Sequence, residues 1–375
     1  KIVLISFSRF SLAESIIFLK GIYQGSIKKP VLTSKMLFLV AVSFVAVLLF
    51  LLWINRFDSK AQLLWILGFD ILTPIIISVI VLFFQPFFVA LRNNVLRKAG
   101  EKMERIKSVS KLTVIAITGS YGKTSTKEFL TTILSKKFKV LSTKEHQNSE
   151  IGIAKCILEE LKPSHQIFIL EVGAYNKGKV KEVCAFLKPK IGIVTGVNEQ
   201  HLALFGSLEN LLSAEGGGEL ADCLPKDGLL VVNGENKHCL NLLKKSNNLS
   251  ASREKIYALS NKIVNADIWS DSISVHKDNI SFLAINNPPT GGKEMAHFNV
   301  KVLGKQNVQN LLGAILAASE LGMSFDEISE ACKSIKPEQA GMVLKHGKHG
   351  LDIIDSSYSA NPDGVIADLE YLKIF

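Results

Sequence analysis

No two of the five cysteines are close enough to form a CxxC pair, which leaves no zinc ribbon or thioredoxin-type motif to find. Scattered single cysteines at 156, 184, 223, 239 and 332 suit a reducing compartment and read as small buried hydrophobes. There is no internal repeat and no low-complexity tract. No Ser/His/Asp or Cys/His constellation offers a nucleophile, so a covalent hydrolase is not the reading. What the chain does have is an excess of positive charge, and its location matters. Residues 1–111 hold 15 Lys/Arg against 5 Asp/Glu, a balance of +10, while residues 112–375 hold 29 of each. The basic excess therefore belongs to the most apolar part of the sequence. That favours an anionic lipid surface as its partner over nucleic acid.

Met36 to Ile54 is an uncharged run of 19 residues, long enough as a helix to cross a hydrocarbon layer of about 30 Å. A short polar stretch, Asn55 to Gln62, follows. Residues 63–91 are apolar again, interrupted by Asp70 and by Thr73-Pro74, and Ile71 to Leu91 is uncharged. The pair predicts a transmembrane hairpin with spans at about 36–54 and 71–91. Lys20, Lys28, Lys29 and Lys35 precede it; Arg92, Arg97, Lys98, Lys102, Arg105, Lys107 and Lys111 follow it. The positive-inside rule then puts both ends on the cytoplasmic side of the membrane. Residues 1–27, broken by Arg9, Glu14 and Lys20, suit an interfacial helix, and residues 92–111 a basic helical connector along the membrane surface.

From Leu112 the pattern changes. Strand-length apolar runs at 112–118, 138–143, 167–172, 191–195 and 227–233 alternate with helical segments from about 123, near 151–161 and near 179–187. This alternation predicts an α/β domain with a parallel sheet covered on both faces. Residues 256–304 show more two-residue alternation, and 307–321 and 325–335 read as helices. Between the first strand and first helix lies ITGSYGKTS, residues 117–125. Gly119, Ser120, Tyr121, Gly122, Lys123, Thr124 and Ser125 form a short phosphate loop. Backbone N–H groups at a helix start cradle anionic oxygens, Lys123 neutralises the β- and γ-phosphates, and the Thr124 hydroxyl can ligate Mg²⁺.

This loop, extended as TGSYGKTSTKE, resembles that of the Mur ligase family, and further blocks in the same order extend the likeness from about Val114 to Leu372. The resemblance implies a P-loop parallel-sheet central domain that uses ATP and Mg²⁺ to form a peptide bond through an acyl phosphate. In EVGAYNKGKV it implies Glu171 as a Mg²⁺ ligand, and in VTGVNEQHLALFGSLEN it implies His201 as a metal ligand. LGKQNVQNLLGAILAA puts Asn307 near the adenine, and the same residue also suits a helix N-cap. STKEHQNSEIG resembles the loop that contacts the nucleotide-sugar peptide, through Asn148 and Ser149. IIDSSYSANPDG resembles the opening of the C-terminal domain and supplies Asp355 and Asn361 for nucleotide and substrate. Its wording is nearest to the members that add D-alanyl-D-alanine to a muramoyl tripeptide. Lys123, Glu171 and His201 are then the catalytic set.

The implied substrates are a nucleotide-sugar or lipid-linked muropeptide and a dipeptide amine. The alternatives are a membrane-bound ligase with another acceptor, such as poly-γ-glutamate, or a nucleotide-binding scaffold that has lost catalysis. Several positions depart from the family's pattern. The apolar hairpin stands where the family carries a soluble UDP-binding domain. SAEGGGELAD (213–222) holds no lysine to become the carbamate that ligates a second Mg²⁺, with Gly217 and Gly218 in its place. Gly341 stands where the family has an arginine before Met342, and Ser356 and Ser359 also depart from its pattern. The expected division is an anchoring region, 1–111, a central ATP-binding domain, 112–336, and the start of a C-terminal domain, 337–375.

Overall fold

The computed structural model describes residues 20, 33–144, 147–244, 253–262, 264–287, 291–347, 351–357 and 362–375. It divides into two compact units, 1–92 and 93–375.

In the first unit, α1 (Ser34–Ile54) is capped by Thr33, whose side-chain oxygen accepts from the Met36 N–H. The second helix, α2 (Ser59–Val109), runs 51 residues and belongs to the first unit up to Arg92. Aromatic pairs zip the two helices together: Phe38 against Phe84, Phe50 stacked on Phe69, and Trp53 edge-on to Trp65. Pro74 and Pro86 lie inside α2 without ending it. The sequence break at Thr73-Pro74 is absorbed within the helix, where the Thr73 hydroxyl donates to the Phe69 carbonyl. By length and composition both helices are able to cross a membrane.

The second unit begins earlier than the change of pattern at Leu112. The last turns of α2 bury Leu96, Ala99, Met103 and Ile106, spaced as one face of a helix, among residues of the sheet and its covering helices. The Lys102 ammonium donates to the Leu158 carbonyl, and that of Lys107 to the carbonyls of Leu187 and Lys188. Burial pushes the Lys107 pKa down. The segment expected to lie along a membrane surface is thus a core helix of this unit, with Arg97, Lys98 and Arg105 left on its exposed side.

The chain continues through β1 (Thr113–Thr118), α3 (Lys123–Leu134), β2 (Val140–Ser142), α4 (Glu150–Glu160), β3 (Ile167–Glu171), α5 (Lys179–Leu187) and β4 (Ile191–Val194). A 3₁₀ turn (Glu199–His201) and the short helices α6 (Leu202–Phe205), α7 (Leu208–Ala214) and α8 (Gly218–Cys223) follow. After them come β5 (Leu229–Asn233), α9 (Lys237–Lys244), β6 (Arg253–Ala258), β7 (Ile268–Val275), β8 (Ile280–Asn286) and β9 (Glu294–Val300). The unit ends with α10 (Gln306–Glu320), α11 (Phe325–Cys332), β10 (Val343–His346), β11 (Asp352–Asp355) and α12 (Pro362–Leu372).

Among the described residues nine strands make one sheet, in the order β2-β3-β1-β4-β5-β6-β7-β8-β9. It is parallel as far as β7, and β8 and β9 add an antiparallel edge. The expected α/β architecture is present. Strands β1, β3, β4 and β5 are buried nearly throughout, as a sheet covered on both faces requires. One core, with Phe129, Ile133, Leu311 and Ile315, lies under α3 and α10; the other holds α4, α5 and the end of α2. The strands β10 and β11 pair on their own, and Tyr371 on α12 packs with Leu303 and Met342.

Candidate phosphate-binding site

In a parallel sheet, ligands gather where strands deliver their carboxyl ends. Here β1 runs into the glycine loop, β3 ends on Glu171, and β4 is followed by Thr195 and Gly196. Gly119 and Gly122 have φ of 142° and 77°, in the region that side chains avoid. A Cβ on Gly119 would also collide with the Thr195 hydroxyl, and one on Gly122 with Asn310 Oδ1. The loop is further held by the Thr195 hydroxyl, which donates to the Tyr121 carbonyl. Tyr121 itself packs over Gly196, accepts from Asn236 at 3.2 Å, and has its phenol pushed up to about 12 by burial.

Lys123 opens α3. Its ammonium donates to the Gly119 and Ser120 carbonyls. Burial lowers its pKa, and the nearby Glu215 and Glu171 carboxylates oppose that shift. The next residue, Thr124, donates from its hydroxyl to Glu171 Oε2 at 2.7 Å, while Asn148 donates to Glu171 Oε1 at 3.0 Å. Glu171 is 4 % exposed. So the structure brings together Lys123, Thr124, Glu171 and Asn148. Ser149, next to Asn148, caps α4 by accepting from the Gly152 N–H.

On the other side of the loop His201 closes the 3₁₀ turn. Its Nδ1 is 2.8 Å from Glu215 Oε1, and the Ser120 hydroxyl donates to Glu215 Oε2 at 2.7 Å. Glu215 is 3 % exposed. Among the described residues no hydrogen bond joins this group to the Glu171 group, and Lys123 is near enough to feel both carboxylates.

Asn307 is buried beside the loop, but its amide donates to the Leu303 carbonyl and its oxygen accepts from Asn310. It does not cap its helix, because α10 starts at Gln306 with Lys305 at the N-cap. Gln306 has a buried oxygen with no hydrogen-bond partner among the described residues. Gln306, Asn307, Asn310 and the glycine loop line a cavity of about 350 Å³. A larger one, about 700 Å³, is bounded by Thr124, Ser125, Thr143, Gln339 and Asp355. Asp355 accepts from the N–H and the hydroxyl of Ser357 and pairs with Lys345, which together hold its carboxyl well below the usual range. Asn361 lies outside the described residues.

Among the described residues no three His, Cys, Asp or Glu side chains form a ready metal cage. The hydroxyl–carboxylate pair of Thr124 and Glu171 is nevertheless a hard oxygen donor set. It suits a Mg²⁺ that keeps waters and takes phosphate oxygens as its remaining ligands.

A sequence profile of the Mur ligase middle domain matches residues 117–318, more than half of the chain. The chain belongs to the Mur ligase family. It is 28 % identical over 259 residues to the UDP-N-acetylmuramoyl-tripeptide–D-alanyl-D-alanine ligase of Escherichia coli (strain K12), covering 69 % of this chain and 54 % of that one. It is 32 % identical over 254 residues to the ligase of the same name from Borreliella burgdorferi, covering 68 % and 51 %. The chain spans about half the length of the curated relatives it matches. In fold it is similar to MurF from Acinetobacter baumannii, with a TM-score of 0.66 at 24 % identity over 76 % of this chain and 58 % of that one. A MurF ligase from Thermotoga maritima, solved with ADP, gives 0.62 at 22 % identity, covering 76 % and 61 %.

Within this Mur ligase fold the residues that sequence reasoning missed are Glu215, Gln306 and Asn310. The first had a visible signal: it is the acid immediately before the three glycines in which no lysine was found. Those glycines have their own reason. A Cβ at 216 would collide with the Leu212 backbone, and one at 217 with Val194; Gly217 also has φ of 85°. A lysine at 217 therefore has no room, so at that position the expectation of a vacated ligand gives way to a packing requirement; Gly218, where an added Cβ would come no nearer than 3.2 Å to a neighbour, is not closed in this way.

Proposed function

We propose that this Mur ligase chain binds ATP·Mg²⁺ and forms a peptide bond in peptidoglycan precursor synthesis, most like addition of D-alanyl-D-alanine to a UDP-N-acetylmuramoyl tripeptide. The observation that carries the reading is the linked set of glycine loop, Lys123, Thr124 and Glu171 at the carboxyl edge of the sheet. Relatives named for that reaction over the same region support the substrate class.

The loop N–H groups and the α3 N-terminus receive phosphate oxygens, and Lys123 exchanges its two carbonyl partners for the β- and γ-phosphates. Thr124 and Glu171 would hold Mg²⁺, which would neutralise phosphate charge there. Asn148 keeps Glu171 oriented. In the reaction the acceptor's carboxylate oxygen attacks the γ-phosphorus and ADP departs. The amine nitrogen then attacks the acyl carbon, phosphate departs, and the amine loses a proton. Placement and charge stabilisation account for such a reaction without a nucleophilic side chain. Gln306, with its unpartnered oxygen, and Asn307 line the side of the loop suited to the nucleotide's base. Ser149, Asp355 and Asn361 are assigned, on the resemblance, to the substrates.

In this reading residues 1–92 form the anchor, 93–336 the central region and 337–375 the C-terminal region. The apolar helices are a membrane hairpin in contact with lipid, with the ligase portion cytoplasmic, because Lys/Arg crowd the hairpin's outer ends. Two measurements test the proposal. ATP-dependent phosphate release by the full-length protein should require both muramoyl tripeptide and D-alanyl-D-alanine; release with neither, or with a different amine, overturns the substrate class. A cysteine placed at 59 should be labelled from outside intact cells and one at 105 should not; the reverse overturns the topology.

A further inference from the structure

The phosphate site has a second buried carboxylate, and its hydrogen bonds define the state of His201. A carboxylate oxygen accepts, so the 2.8 Å contact between His201 Nδ1 and Glu215 Oε1 puts the ring hydrogen on Nδ1. Gln200 is consistent with this from the other side: its amide nitrogen donates to the Ser120 carbonyl at 3.4 Å and lies 3.3 Å from His201 Nε2, to which its second hydrogen can be given. The Nε2 atom of His201 is therefore a lone pair. A histidine bound by a carboxylate through one nitrogen, with only an exposed glutamine amide for a cation to displace at the other, is the arrangement that orients imidazole toward a metal ion. Glu215 also accepts from the Ser120 hydroxyl, so one buried side chain fixes both the histidine and the phosphate loop.

We propose that Glu215 is a positioning residue of the phosphate site, which presents His201 Nε2 to a divalent cation and supplies, with its own carboxylate, the negative charge the second cation position needs. The inference rests on the proposed ATP·Mg²⁺ reading and deepens it. Its consequence is that cation binding requires no carbon dioxide-derived modification of a lysine. Gly216 and Gly217, which follow Glu215, agree with this, since Leu212 and Val194 leave no space for a side chain at either.

The test uses the full-length protein in detergent, titrated with Mn²⁺ in the presence of a non-hydrolysable ATP analogue, with free Mn²⁺ read by electron paramagnetic resonance. Wild type should bind Mn²⁺ equally in CO₂-depleted and bicarbonate-containing buffer. Glu215→Gln keeps the shape and an accepting oxygen but removes the charge. It should weaken Mn²⁺ about 10- to 100-fold, and by more than it weakens the analogue measured in EDTA. Glu215→Asp, which restores the charge on a shorter arm, should fall between the two, and guards against a folding defect in the glutamine variant. Unchanged Mn²⁺ affinity in Glu215→Gln, or wild-type binding that appears only with bicarbonate, would overturn the inference. Loss of analogue binding by wild type itself would instead overturn the nucleotide reading on which it rests.

Discussion

Two isoleucines mark the difference between the two units: Ile71 on α2 is 76 % exposed, and Ile115 on β1 is 0 % exposed. The same contrast holds for Phe83, at 76 %, and Phe129, at 0 %. In the second unit the chain supplies its own apolar surroundings, two layers of helices on a sheet. In the first, the described residues offer only a helix pair joined by aromatic contacts, and most of the apolar surface faces outward. Equal hydrophobicity thus has two meanings. Which one applies depends on whether apolar residues alternate with strand and helix periods or run unbroken.

Substitutions at matched residues sharpen this contrast most. Phe129→Ala should destabilise the second unit by about 3–5 kcal/mol, because a cavity opens in a packed core. Phe83→Ala should change the thermal unfolding of that unit by less than about 0.5 kcal/mol in detergent. Equal effects in calorimetry would mean that the units are not energetically separate. Next in size is Lys123→Ala. A charge-assisted phosphate contact contributes roughly 1.5–3 kcal/mol, so ATP affinity should fall about tenfold to a hundredfold, with the fold intact. Unchanged binding by titration calorimetry would reduce residues 119–125 to a structural turn.

A smaller effect separates packing from chemistry within the second unit. Gly217→Lys should not improve Mg²⁺-dependent turnover. It should destabilise by about 1–3 kcal/mol, through the positive φ and the crowding by Val194. Raised turnover in that variant would contradict the packing argument. The smallest effect concerns Asp355. Its folded pKa lies below the ordinary 3.8, chiefly through Lys345 and Ser357. A lowered folded value stabilises above 3.8, and the contribution disappears as pH falls through the folded pKa. The difference in melting temperature between wild type and Asp355→Asn should therefore narrow from about pH 5 to about pH 2; a difference that widens would rule out this pairing.

The glycine loop, the strands around it and Glu171 were legible because their signals are local. Two glycines, a lysine and a threonine sit between an apolar run and a helix, and a strand's last residue is readable from its length. Glu215 was not legible as a site residue because its partners are distant along the chain: Ser120 lies 95 positions away. Only tertiary structure brings a short helix's end back to the loop. Asn307 suited a helix cap by its residue type, but the helix starts at Gln306 with Lys305 as its cap, and that shift makes Asn307 an interior position bonded to Leu303 and Asn310. The stripe at 96, 99, 103 and 106 was present in the sequence, but the lysines around it drew attention to charge and away from periodicity.

That stripe has a practical consequence for dissecting the molecule. A fragment cut at Leu112, where the sequence first reads as a nucleotide-binding domain, would remove Ala99, Met103 and Ile106 and the ammonium groups that close the ends of two neighbouring helices. A bare apolar trough would remain along α4 and α5, an invitation to self-association on purification. Cutting at Asn93 keeps the trough filled, so the extra nineteen residues should decide between a precipitate and a soluble, nucleotide-binding piece.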